Sequence, residues 1–343
     1  MKSLPCNPVL ESAQFVHQHS KDVAIDEAAV ERTAHELLRA LEEKPYSTAD
    51  WKRHPLNPNT ADDAAIDWIF LVDTLNFSFW SDAGEASPDR FAVVLDGQRY
   101  TGYWSLCACI NRALAEGIPV TSAAYYAHAT DDELRRIFRS DARESVPMLD
   151  ERLAVMRQTG RILLETFGGS FSQCIRQCQG SALRLLALIT KQFPCYRDEG
   201  AFMGRTVQYF KRAQILIADI WACFEGQGLG EFHDIDQITM FADYRVPQAL
   251  VYLNILSYSS DLWALLQRQQ PLASGDRLEQ EIRAVSIWAV ELLRRRMVAL
   301  RGHNTATPAI NAILLDFYLW DYAKTHTDAL RSVPIHRTRS IFY

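Results

Sequence analysis

The chain has 343 residues, 48% of them apolar, and carries 36 Lys and Arg against 42 Asp and Glu, a formal net charge of −6. With 8 Trp, 16 Phe and 13 Tyr, a disordered chain is excluded. The acidic balance excludes coating duplex nucleic acid by bulk charge, but leaves room for a local cationic pocket around one phosphate.

No stretch reaches the ~20 uninterrupted apolar residues of a membrane helix. Even Ala64–Phe79 is cut by Asp67, Asp73 and Asn76. Residues 1–15 contain Lys2 but no apolar segment followed by a small-residue cleavage site, so a soluble, cytoplasmic chain is expected. The 7 cysteines are odd in number in a long chain, which argues against a disulfide scaffold. Cys107 and Cys109 are too close for a zinc knuckle, and Cys174 and Cys178 share one helical face. Buried thiols are the expectation, with no metal.

Helical periodicity dominates the chain. Asp26 precedes a stripe of Val30, Leu37, Leu38 and Leu41 and reads as an N-cap. A second run begins at Thr60 and continues through Ile66, Ile69 and Phe70 to Phe79. The period then changes: Phe91–Leu95, Asp96-Gly97 and Gln98–Trp104 read as one small β-hairpin on a type I′ turn. Helices resume at Ser105–Glu116, at Asp131–Phe138 capped by Thr130, and at Pro147–Phe167 stopped by Gly168-Gly169. Further helices fit Ser181–Phe193, Thr206–Phe224, Pro247–Leu256, Ser260–Arg268, Gly275–Arg301 and Ala309–Lys324; the end, with Pro334, reads as irregular. Without repeats or a long linker, the prediction is one mainly α domain over 1–343, with room for two helical lobes around a cleft.

The phosphate-loop, nucleophile-elbow and zinc-protease motifs are absent. Gly226-Gln227-Gly228-Leu229-Gly230 follows a helix, so it reads as a connector, compatible with the turn of a helix-hairpin-helix element. Asp243, Tyr244 and Arg245 stand just before Pro247, which opens a helix. Asp243 is either an N-cap with Arg245 as a surface ion-pair partner, or a carboxylate walled by Phe241 and Tyr244, as cleavage through a cationic sugar state requires. Asn76 lies among Phe77, Phe79 and Trp80: it either caps a helix in the core or reads the edge of a stacked heterocycle. Lys211 and Arg212 open an otherwise apolar helix, and form either a phosphate site or a solvated ion pair. Asp316 and Asp321 sit in an aromatic helix and need cationic partners, an Arg or Lys or a ligand amine. His54, beside Pro55, reads on its own as polar surface.

At these segments the chain resembles the queuosine salvage proteins, the queuosine 5′-phosphate N-glycosylases. The resemblance is carried by Asp73–Ser81, Gly102–Leu106, Gly117–Ser122, Phe167–Phe171, Phe210–Ile215, Ile238–Gln248 and Leu315–Tyr322, in order along nearly the whole chain. It implies a mainly α fold, a helical bundle similar to helix-hairpin-helix DNA glycosylases but without their DNA-binding role. It implies an N-glycosidase that releases queuine from queuosine 5′-monophosphate for re-insertion into tRNA, with no cofactor or metal. The implied partners are this nucleotide and its product, with no direct nucleic acid and no membrane; the oligomeric state is left open. Asp243, in Phe241-Ala242-Asp243-Tyr244-Arg245-Val246-Pro247, is similar to the catalytic Asp that precedes a helix in the DNA glycosylases.

The base is a deazaguanine, with carbon where guanine has its basic ring nitrogen, so the barrier must fall mainly at the sugar. Asp243 then stabilises the oxocarbenium-like state, directs water, or forms a short-lived ester. Phe241 and Phe77 sandwich the base, and Asn76 and His54 meet its edges or substituents. Asp316 takes the amine of the side arm, while Lys211, Tyr244 and Arg245 bind the 5′-phosphate. A rival of a different class is a protein that carries queuine or its nucleotide without cleaving it.

Overall fold

Asp26 accepts a hydrogen bond from the Ala29 N–H and starts the helix Glu27–Glu43, as its position before the apolar stripe requires. The computed structural model describes residues 7–44, 46–302 and 310–343, and its fold class is mainly α, at 57% helix and 7% strand. Most boundaries lie within a few residues of expectation. The helix expected from Ala309 is Ala312–Thr325, its expected first residue lying outside the described residues. The same holds for residues 1–6 of the N-terminal stretch.

Three helices are shorter than their apolar patterns. The run from Thr60 to Phe79 is helical only over Asp63–Thr74, because Asp62 rather than Thr60 accepts the Ala65 N–H and Leu75 ends the helix. The stretch Thr206–Phe224 divides into a strand, Arg205–Gln208, and the helix Lys211–Cys223, with Phe210 at φ +47° at the junction. Pro247–Leu256 is likewise the helix Arg245–Tyr252 followed by the strand Leu256–Tyr258.

The expected hairpin pairs Ala92–Leu95 with Gln98–Thr101, and both turn residues have positive φ, as a type I′ turn requires: Asp96 at 50° and Gly97 at 78°. Glu199–Phe202 pairs with Arg205–Gln208 around Met203-Gly204, a turn of the same shape without the usual Asn or Asp signal. Val23–Ile25 pairs with Leu256–Tyr258, two three-residue strands far apart in sequence.

The chain forms two units. The first holds the described residues of 1–48 with 198–214 and 234–339; the second holds 49–197, 215–233 and 340–343. In the first, the helix Arg277–Arg301 packs against Pro8–His19, Glu27–Glu43, Arg245–Tyr252 and Ala312–Thr325. It buries polar side chains that find partners: Glu281 accepts the N–H groups of Lys21 and Asp22 at 3.0 and 2.8 Å. In the second, Asp63–Thr74 packs against Tyr103–Ala115 and Leu149–Thr166. Six described cysteines are buried, and burial raises the Cys109 and Cys178 thiols to about 12 and about 11, so these two stay protonated. Among the described residues no helix is long and apolar enough to cross a membrane.

Candidate active site

In the first unit, the chain ahead of the helix Arg245–Tyr252 folds back on itself: the Asp243 N–H meets the Phe241 carbonyl at 2.7 Å. Asp243 Oδ1 then accepts the N–H groups of Arg245 and Val246, at 2.8 and 2.9 Å. Those donors would otherwise be orphans of the first turn, where Pro247 has no N–H to satisfy. Asp243 therefore does cap the helix, and its carboxyl lies partly buried at the positive end of the helix dipole. Capping occupies one oxygen. Among the described residues Oδ2 makes no hydrogen bond.

Asp316, on the helix Ala312–Thr325, is 5% exposed, and its Oδ1 accepts the Phe241 N–H at 2.8 Å. Its Oδ2 also makes no hydrogen bond among the described residues. The two carboxyls and Lys211 act on one another. Burial raises the Asp243 carboxyl above its ordinary range, against the charge of Lys211, the N–H groups of Val246 and Arg245, and the Arg245 charge. Burial, then the negative charge of Asp243, holds the Asp316 carboxyl well above its ordinary range, with the Phe241 N–H and Lys211 opposing. Lys211 opens the helix Lys211–Cys223 and is itself buried, so the solvated ion pair is not what forms.

Tyr244 and Arg245 are half-buried beside this group, the Arg245 guanidinium 5.4 Å from the Tyr244 ring centroid and 3.1 Å from Gln248 Oε1. The Phe241 ring is buried, its centroid 6.1 Å from that of Phe317. The first unit thus brings together Lys211, Phe241, Asp243, Tyr244, Arg245 and Asp316. The site therefore joins two carboxyls that repel each other, a nearby cation and a helix N-terminus.

The second unit holds the other three candidates. Asn76 is buried and donates from Nδ2 to Asp73 Oδ1 at 3.2 Å; Leu75, not Asn76, is the helix cap. Phe77 is fully buried, with the Arg152 guanidinium 4.3 Å from its ring centroid. Arg152, also fully buried, donates to the carbonyls of Leu75, Phe77 and Pro147. Tyr103 hydrogen-bonds Cys107, and burial, with the charges of Asp73 and Asp219, keeps both groups protonated. The His54 ring stacks on Trp104 at 3.3 Å between centroids and 9° between planes. Burial lowers His54 to about 4, so it is neutral near pH 7. It is a packed side chain rather than polar surface. Among the described residues no group of three His, Cys, Asp or Glu is placed to hold a metal ion.

The model of the family described as queuosine salvage protein matches residues 56–343. The chain belongs to the queuosine salvage protein family. Several relatives share the description queuosine 5′-phosphate N-glycosylase/hydrolase. The one from Mus musculus is 50% identical over 336 residues, covering 97% of this chain and 98% of its own length. The one from Schizosaccharomyces pombe is 43% identical, covering 98% of this chain and 99% of its own. The one from the bacterium Sphaerobacter thermophilus is 38% identical, covering 98% and 97%.

Three residues that shape the first unit's site escape a sequence reading. Asp198, Gln214 and Arg283 are buried polar side chains outside the segments that carry the family resemblance, Gln214 excepted. The spacing of Glu279 and Arg283, i and i+4 on a helix with a buried face, is the one signal available.

Proposed function

We propose that this chain is an N-glycosidase that hydrolyses queuosine 5′-monophosphate and releases queuine for salvage into tRNA. The observation that carries the reaction class is the arrangement of Asp243: one oxygen is fixed by two backbone N–H groups and the other makes no hydrogen bond among the described residues. The substrate comes from the relatives, which share one description over nearly the whole chain. The net charge of −6 supports a free nucleotide rather than a nucleic acid as substrate. We place the reaction in the cytoplasm, which suits six buried thiols.

The reaction adds water across the bond between C1′ of the ribose and the base nitrogen. Hydroxide goes to C1′, the proton to the departing base, and ribose 5-phosphate remains. A deazaguanine cannot be protonated at the missing ring nitrogen, so positive charge builds up on the sugar before the base leaves. A carboxylate held by backbone donors meets that charge without reorganising, and it can also orient the water. Asp316 takes the secondary amine of the queuine side arm. Burial and Asp243 favour its neutral form; a bound cation reverses that balance and leaves a matched ion pair. Phe241 gives the base an apolar wall. Lys211, Tyr244 and Arg245 serve the 5′-phosphate, and the Lys211 charge also opposes the rise that burial imposes on the Asp243 carboxyl. His54, Asn76 and Phe77 belong to the second unit, where Phe77 is fully buried against Arg152. The fold is akin to helix-hairpin-helix glycosylases, as supported by the Asp ahead of a short helix and by the glycine-rich turn Gly228–Gly230. Residues 1–343 then act as one catalytic domain.

The test is purified protein incubated with queuosine 5′-monophosphate and assayed for free queuine. Release is expected; tight binding without release would make the chain a carrier instead. Lys211→Ala and Arg245→Ala should weaken the nucleotide far more than the nucleoside, and equal losses would remove the phosphate role.

A further inference from the structure

In the first unit, Asp243 and Lys211 lie on separate stretches of chain, and two sets of buried side chains tie these stretches together. Arg283, 2% exposed on the helix Arg277–Arg301, donates from Nε to the carbonyl of Ala242, the residue just before Asp243, at 3.2 Å. Its other nitrogens hold both oxygens of Asp198, at 3.0 and 2.5 Å, and its guanidinium lies 4.2 Å from the Tyr209 ring centroid. Asp198 in turn accepts the Lys211 backbone N–H on Oδ2 at 3.2 Å, and its main-chain carbonyl accepts the Tyr209 N–H at 3.0 Å. Gln214 makes the second tie. It accepts the Thr239 N–H at 3.0 Å and donates to the Tyr209 carbonyl at 3.2 Å.

We propose that Arg283 is a positioning residue for the hydrolysis, fixing with Asp198 the chain that carries Asp243 against the chain that carries Lys211. This rests on the functional reading above. The planar fork of a guanidinium suits the task, since it grips a carboxylate with two nitrogens and still has a third N–H for a carbonyl; an ammonium is a point charge that lacks this geometry. A misplacement of about 1 Å between groups that work together costs on the order of 100-fold in rate.

The test is Arg283→Lys, which keeps the charge opposite Asp198 and Glu279 and beside Tyr209 and His336. The expected result is a kcat lowered about 10- to 100-fold with KM for the nucleotide little changed. The acid limb of the rate profile should also move to higher pH, because the Lys211 charge no longer sits at its set distance from Asp243, while Asp316 and Arg245 still face it. Arg277→Lys, on the same helix but in an outer ion pair with Asp22, should leave kcat and the limb unchanged. If Arg283→Lys does not fold, Asp198→Asn carries the same test, since it keeps one acceptor oxygen, able to serve the Lys211 N–H, but loses the charge and the two-oxygen grip on Arg283. Wild-type kcat and an unmoved limb in a folded variant, with only the melting temperature lowered, would overturn the positioning role. Absence of queuine release from the wild type would instead overturn the functional reading on which it rests.

Discussion

Both units place carboxylates among aromatic side chains, and they use them differently. In the first, Asp243 is partly exposed, spends one oxygen on the helix N-terminus, and interacts with Asp316 and Lys211. In the second, Asp73 has no exposed surface, accepts from Asn76, and lies near a protonated Tyr103 and Cys107. Aromatic neighbours in the sequence do not tell these cases apart. What separates them is whether solvent, and hence a ligand, can reach the carboxylate.

The sharpest way to break this contrast is to remove each charge in turn. Asp243→Asn should lower queuine release on the order of 1000-fold in a folded protein. Asp73→Asn should lower the melting temperature and leave turnover per folded molecule close to wild type. Single-turnover assays with circular dichroism on both variants decide the matter, and the reverse pattern would move the chemistry to the second unit.

Arg152→Met should cost about 3 kcal/mol or more in urea unfolding, because the buried carbonyls of Leu75 and Phe77 lose charged donors. A loss below about 1 kcal/mol would show that water replaces those donors.

A smaller effect concerns Asp316, whose folded carboxyl titrates above the unfolded one. The folded state then holds a proton that the unfolded state releases. The stability this lends is complete below the unfolded value and is lost as pH rises through the folded value. Asp316→Asn, which can keep the Phe241 N–H bond, should therefore melt higher than wild type near neutral pH, with the difference shrinking in acid. A pH series of melting curves checks the sign; a variant less stable at neutral pH would mean that Asp316 is ionised and paired in the free protein.

The smallest effect is expected at His54. With burial lowering it to about 4, His54→Asn should leave the shape of the rate profile unchanged between about pH 5.5 and 8. A lost limb in that range would show a titrating, functional histidine.

Much of the fold is legible because its signals are local. Asp96-Gly97 can take the two positive φ angles of a type I′ turn, Asp26 and Thr130 are placed to cap, and apolar spacing marks the helical faces. The strands Val23–Ile25 and Leu256–Tyr258 have no such mark, since three residues show no period and their partners lie far away in sequence. Arg205–Gln208 is hidden because its apolar pattern runs into that of the following helix.

The candidate site divides in the same way. The sequence by itself determined the segment: an Asp two residues ahead of a helix, with Pro in the first turn, caps that helix wherever it folds, since the backbone N–H groups it satisfies are its neighbours in the chain. Only the tertiary structure decided which charges surround Asp243. Lys211, Asp316 and Arg283 come from three separate helices, and the strength of a buried charge depends on distances and exclusion of water that no local pattern carries.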